Sequence, residues 1–345
     1  MFNKLDRTLL VAGMVSISMA GVAEARDQIR IVGSSTVFPF STAVAEEFGR
    51  STAFKTPVVE STGSGGGLKL FCAGVGENHP DITNASRAIK SSEIELCAQN
   101  GVKEIIEVKI GYDGIVMANS KGSAPVEFSL KDIWTALSKE VVVNGEIVAN
   151  PYTRWNEVNP NLPNRKIEVL GPPPTSGTRD AFTELALEGG CQAYPEIVEI
   201  EEEDSNRYMA LCHKIREDGV YVESGENDNL IVGKLQANPN AYGVFGYSFL
   251  EENTDVIQGN MVEGSYPTFE NIADQEYKVS RSLYFYVKKA HIGAVPGLKE
   301  YLNEFLSDKA MGDFGYLAEK GLIPLPNTEL AQVQNTAQNL VALQK

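Results

Sequence analysis

The chain has 345 residues, enough for about two domains. Its 43% hydrophobic and 22% charged residues are those of an ordinary globular protein, which sets aside disordered, collagen-like and coiled-coil classes. The balance of 30 Lys+Arg against 46 Asp+Glu leaves a net charge of −16, with no electrostatic footprint for nucleic acid or for an anionic membrane surface.

In chain order, the first 25 residues read as a secretory signal. Lys4 and Arg7 make a basic start, Leu9 to Met19 an apolar stretch too short to span a bilayer, and Ala23-Glu24-Ala25 an A-x-A site predicting cleavage after Ala25. The removed segment carries two charges of each sign (Lys4, Arg7, Asp6, Glu24), so the mature chain keeps −16. No Cys lies near Ala25 for a lipid anchor, and no later apolar run approaches the length of a membrane span. The expectation is a periplasmic protein without direct membrane insertion.

Ile29-Arg30-Ile31-Val32 predicts a strand, followed by Gly33-Ser34-Ser35-Thr36 and then by Phe40, Val44 and Phe48 at helical spacing. Pro57-Val58-Val59-Glu60 predicts a second strand, residues 61–67 a small polar loop, and Leu68 the start of a helix. Asp81-Ile82 leads to Ser86-Arg87, and residues 111–118 form a further strand. The first pattern then returns: Ile167-Glu168-Val169-Leu170, the loop 171–178 holding Thr175-Ser176-Gly177-Thr178, and a helix carrying Phe182, Leu185 and Ala186. Residues 282–287 are strand-like; Leu298, Tyr301, Leu302, Phe305 and Leu306 form an amphipathic helix, and the tail from 327 packs back on the body. Strands alternating with helices imply α/β layers.

A helix N-terminus offers backbone N–H groups and partial positive charge, Gly admits a ligand close to the backbone, and Ser or Thr adds a hydroxyl donor. In any one loop, helix capping explains the same residues. Three such loops, with Arg87 and Arg179, point to an anion site if they converge. The acidic body repels an anion at long range, so attraction must be local. Burying an ion costs several kcal/mol, and charge-assisted hydrogen bonds return about 1.5–3 kcal/mol each.

Four cysteines remain, Cys72, Cys97, Cys191 and Cys212. An even count in an oxidising compartment predicts two disulfides, with three pairings open. The nearest-neighbour scheme, Cys72–Cys97 and Cys191–Cys212, closes local loops worth roughly 3 kcal/mol each; buried thiols are the alternative. Without a C-x-x-C knuckle, and with His79, His213 and His291 scattered, neither a metal site nor a cofactor is expected. There is no G-x-S-x-G elbow, S-x-x-K pair or phosphate-binding G-x-x-x-x-G-K-[ST] loop. The acidic run 199–204 reads as a solvated face, and Trp134 and Trp155 as packing residues.

These segments resemble the substrate-binding proteins of phosphate ABC transporters, in the type II periplasmic binding protein class. Gly33-Ser34-Ser35-Thr36-Val37-Phe38-Pro39 is similar to that family's first phosphate loop, Thr62-Gly63-Ser64-Gly65-Gly66 to its second and Ala85-Ser86-Arg87 to its third contact segment. Thr175-Ser176-Gly177-Thr178-Arg179-Asp180-Ala181-Phe182 resembles its Ser-Gly-Thr loop. Trp155-Asn156-Glu157, Gly243-Val244-Phe245-Gly246-Tyr247 and Ser280-Arg281-Ser282-Leu283 are similar to framework segments. The resemblance implies an α/β fold of two lobes joined by two crossings, near 110–119 and 242–248. One lobe would be 26–113 with 247–345, and the other 114–246.

It further implies a non-catalytic, monomeric receptor that captures inorganic phosphate and delivers it to an ABC permease. The implied contacts are Ser35, Thr36, Ser64, Arg87, Ser176, Gly177 and Thr178, with Arg87 supplying formal charge. One branch of the family has an Asp where Arg87 stands, accepting the phosphate proton, and an Arg where Pro172 stands. Asp113 is therefore the candidate acceptor or partner of Arg87, with a hinge hydrogen-bonding role as the alternative. Arg179 either contacts ligand or pairs with a carboxylate across the cleft. Another oxyanion (sulfate, molybdate, tungstate or a phosphonate) is the second reading, and a secreted phosphatase the third.

Overall fold

The structure is a computed structural model describing residues 26–225 and 228–343, with backbone alone at 228; the leader read over residues 1–25 lies outside them. Adjacent pairs of β-branched residues build three short parallel strands, β1 (Arg30–Gly33), β2 (Val58–Ser61) and β3 (Ile82–Ala85), in the order β2-β1-β3. Each is followed by a helix: α1 (Phe38–Ser51), α2 (Ser64–Phe71) and α3 (Ser91–Gln99). Phe40, Val44 and Phe48 lie on the buried face of α1, where the Phe48 ring meets Phe54 and Tyr301. Truncating such a ring to Ala costs about 3–5 kcal/mol.

One departure from expectation matters for the site. Residues 64–67, expected as loop, form the first turn of α2. Gly67 packs so tightly that a Cβ there would lie 2.4 Å from Gly33 Cα, and tertiary contact thus overrides the poor helix propensity of Ser-Gly-Gly-Gly.

The chain continues through β4 (Ile105–Ser120), β5 (Glu127–Phe128), α4 (Leu130–Leu137), β6 (Glu140–Val143), β7 (Glu146–Ala149), α5 (Trp155–Val158) and β8 (Val169–Gly171). Then come α6 (Gly177–Phe182), β9 (Tyr221–Glu223), β10 (Tyr242–Gly246), β11 (Ile257–Gly259), β12 (Met261–Val262) and β13 (Ser280–Lys288). Strand β4, longer than the expected 111–118, belongs to both halves of the molecule. From Ile105 to Gly114 it pairs antiparallel with β13, which also borders β3; from Ile115 to Ala118 it pairs with β10, which leads to β8 and β9. The result is one α/β body of two lobes threaded by a shared strand.

The segment between β10 and β13 stays with the second half. Strand β11 pairs with the end of β4, β12 pairs with β5, the Asn260 N–H donates to the Met117 carbonyl (2.8 Å), and the Tyr277 hydroxyl to the Ile115 carbonyl (3.0 Å). The chain next pairs with the first half's strands at β13.

Trp134 and Trp155 are fully buried in the second half, Trp155 against Phe128 and Tyr242. Disulfides join Cys72 to Cys97 in one half and Cys191 to Cys212 in the other. His213 binds Glu188 (2.7 Å), and His291 sits between Asp81 (2.6 Å) and the Gly76 N–H (2.9 Å). The acidic run lies on and just beyond the helix Pro195–Glu203, its carboxylates exposed. The tail helix Asn327–Gln338 docks on β4 through Glu329, which accepts from Lys109 (2.8 Å) and Tyr112 (2.7 Å). Among the described residues no helix is long and apolar enough to cross a membrane.

Candidate functional site

The ends of β1, β2 and β3 are tied together by backbone bonds: Ser34 N–H to Asn84 O (2.9 Å) and Thr62 N–H to Gly33 O (2.8 Å). Only glycine fits at 33, where a Cβ would stand 2.2 Å from the Asn84 carbonyl. The helices α1 and α2 therefore begin side by side. Neither N-terminus is capped by a side chain: Val37 occupies that position for α1 and Gly63, at φ 73°, for α2. The hydroxyls of Ser35, Thr36 and Ser64 are thus not spent on capping. Ser64 Oγ accepts the Ser86 N–H and shares a second bond with the Ser86 hydroxyl, both 3.0 Å.

From the second half, α6 begins at Gly177, capped by Ser176, whose Oγ accepts the Thr178 N–H (3.2 Å). Here the capping explanation holds. The helical run continues through a π-helical turn, Thr183–Leu187, to Cys191. Its N-terminus abuts the first loop: a Cβ on Gly177 would lie 3.6 Å from both the Ser35 carbonyl oxygen and Thr36 Cα. The Ser35 hydroxyl donates to Asp180 (3.2 Å) across the same gap.

At the centre stands Arg281, on β13 in direct register with Asp113 of β4 and two residues before a register shift between Leu283 and Tyr284. Its side chain is only 10% exposed. The guanidinium donates to Thr36 Oγ1 (2.8 Å), to Glu184 of the opposite half, and at longer range to Asp113 (3.4 Å). Burial pushes the Asp113 carboxyl up from its ordinary range, with Arg281 pulling it back and Glu184 adding to the rise. Burial also raises Asp180, opposed first by its bond from Ser35.

The other arginines are placed differently. Arg87 is held by both oxygens of Glu93 (2.9 and 2.8 Å) and donates to the Ala88 carbonyl (3.1 Å). Burial pushes the Glu93 carboxyl up, and Arg87 with the Lys90 N–H more than reverses it. Arg179 lies over the Tyr221 ring (4.3 Å) and donates to the Pro172 carbonyl (3.1 Å), neither across the cleft nor onto a carboxylate. The partner of Asp113 is Arg281 instead of Arg87. From the sequence, Arg281 falls in a framework segment and Asp180 in the Ser-Gly-Thr loop segment, and Glu184 is not singled out. The available signals were an arginine near the start of a strand whose middle, residues 283–287, is apolar and aromatic, and two acidic residues four apart on one helix face.

The assembly offers N–H and O–H donors from both halves around one buried guanidinium, a constellation suited to a small oxyanion. Among the described residues no group of three or more His, Cys, Asp or Glu is arranged to hold a metal.

Two α/β lobes, a shared strand and donors from both lobes meeting between them define a two-lobed binding protein. The chain belongs to the PBP superfamily, whose domain matches residues 18–309. It is similar to protein SphX of Synechococcus elongatus, 31% identical with 92% of this chain and 84% of the relative covered. It is also similar to the phosphate-binding protein PstS of Staphylococcus saprophyticus, 26% identical over 98% of this chain and 92% of that one. Among solved structures, a possible phosphate binding protein from Planctomyces limnophilus superposes with a TM-score of 0.72 at 25% identity, covering 91% of this chain and 98% of the other.

Proposed function

We propose that this chain is a non-catalytic receptor that captures inorganic phosphate by lobe closure and delivers it to an ABC import permease. The reading includes export to the periplasm on the leader 1–25 and action as a monomer. The observation that carries it is the meeting of the Ser35–Thr36 loop, the Gly177 helix start and Arg281 in one gap between lobes; the names of the relatives supply the ligand. Contacts to both lobes favour the closed population, which a permease can distinguish from the open one.

The proposed contacts are Ser35, Thr36, Ser64, Ser176, Gly177 and Thr178, with Arg281 as the charged donor. Arg87 is committed to Glu93, and Arg179 to Tyr221. Asp113 orients Arg281. Three carboxylates (Asp113, Asp180, Glu184) border the gap, so an anion carrying an O–H donor is favoured over fully ionised sulfate, which brings only acceptors. The lobes are best divided as 26–113 with 280–343, and 114–279. The pairing of β11 and β12 within the second half supports a return crossing at the start of β13 in place of 242–248.

Calorimetry with phosphate and sulfate tests the reading. A phosphate Kd of about micromolar or tighter, near −8 kcal/mol, with little heat from sulfate, is expected. Equal affinity for sulfate would sink it. Turnover of a chromogenic phosphate ester, with or without added metals, would return the chain to the enzymatic alternative.

A further inference from the structure

The donors that line the gap already have anionic partners. Ser35 donates to Asp180, and Arg281 to both Asp113 and Glu184. These carboxylates are not equally tied down. Asp113 is fixed opposite Arg281 by strand register and is largely buried, whereas Glu184 is 48% exposed, comes from the opposite lobe and lies on the π-helical turn that widens the helix. Its charge also reaches Arg87, Asp113 and Asp180, which places it amid the site's ionisable groups. Such π turns inside α-helices occur frequently at functional sites, and this one carries the carboxylate that meets Arg281.

From this geometry we infer that Glu184 is an affinity-setting residue, an internal carboxylate that occupies Arg281 and must yield it to the incoming oxyanion. The inference rests on the phosphate reading above. Its physical basis is exchange: an Arg281–Glu184 contact broken on binding stabilises only the unliganded protein, so it weakens affinity by its own strength. A contact kept on binding does the opposite. The sign of the effect therefore decides the role.

The test compares Glu184→Gln with wild type and with Glu202→Gln, an equal charge change on the exposed acidic run. Phosphate affinity is measured by calorimetry, and the lobe separation of the unliganded proteins by small-angle scattering. Glu184→Gln is expected to bind phosphate roughly three- to tenfold tighter, the range of a half-screened charge-assisted bond, and to be more open without ligand; Glu202→Gln should match wild type in both. Affinity of Glu184→Gln equal to or below wild type overturns the inference while leaving phosphate capture standing. A wild type that binds no phosphate, with Glu184→Gln still opening the unliganded protein, overturns capture and leaves the Arg281–Glu184 contact as the cross-lobe latch. No binding and no opening overturns both.

Discussion

On the first-lobe wall of the gap, α2 starts at Ser64 without a side-chain cap and ends at Phe71, next to Cys72, which is bonded to Cys97. On the second-lobe wall, the helical run starts at Gly177, capped by Ser176, and ends at Cys191, which is bonded to Cys212. Both walls thus present a helix N-terminus to the gap and anchor the far end of that helix covalently. They differ in charge: the first wall holds Arg281 and hydroxyls, while the second adds Asp180 and Glu184 and turns Arg179 away onto Tyr221. Similar backbone architecture therefore does not imply equal shares of the binding. In the proposed receptor, the first wall supplies the charged donor and the second supplies closure, together with the carboxylates that restrain it.

That division can be broken by experiment. The largest effect expected is on stability. Replacing either cysteine pair by serine removes a constraint closing 25 or 21 residues, worth about 3 kcal/mol in the chain-entropy model. Urea unfolding should show losses of similar size for the two pairs; a loss confined to one would mean that only one helix needs its anchor.

Next, Arg281→Ala should weaken phosphate binding by more than about 2 kcal/mol, the cost of truncating one partner of a buried, hydrogen-bonded charge pair. Arg87→Ala should change affinity far less, because its guanidinium is already committed to Glu93. Calorimetry giving the reverse ranking would return the charged role to Arg87.

Smaller effects separate the two helix starts. Ser176→Ala removes a cap and should lower the melting free energy by about 1 kcal/mol as well as weakening binding. Ser64→Ala has no cap of α2 to lose, but it strips the Ser86 N–H of its acceptor, so it should weaken binding and also lower stability by about 1–3 kcal/mol. Unchanged melting in Ser64→Ala would show that the Ser86 contact contributes no stability.

The smallest is a pH effect. Burial raises the folded-state pKa of Asp180 above its unfolded value, so between the two values the folded protein binds more protons, and this group's contribution to stability falls as pH rises. Its cost is complete above the folded pKa and absent below the unfolded one. Asp180→Asn should therefore gain in melting temperature relative to wild type at pH 7 compared with pH 3. A difference that does not vary with pH would mean that Asp180 ionises as it does in the unfolded chain.

Much of the fold was legible locally. The strand, loop and helix alternation around Gly33, Ser61 and Leu170 follows from β-branched runs, small polar residues and apolar positions four apart, all of them short-range properties. The helical first turn at residues 64–67 was not legible, because four residues of poor propensity are held there by contact with Gly33, brought from over thirty positions away. Nor does anything near 247 announce that Ile257–Gly259 will pair with the far end of β4, the pairing that favours a return crossing at β13 over one near 242–248.

The sequence by itself determined the α/β class, the acidic character that forces any anion to be held by local dipoles, and the three loops able to hold one. Which arginine enters the gap was decided only in three dimensions. Arg87 bonds both oxygens of Glu93, six positions along the chain. Arg281 has Glu276 five positions back, yet its bonds run to distant residues. Its partners come from residues 36, 113 and 184, and only the register of β13 on β4 and the approach of the second lobe bring them to it.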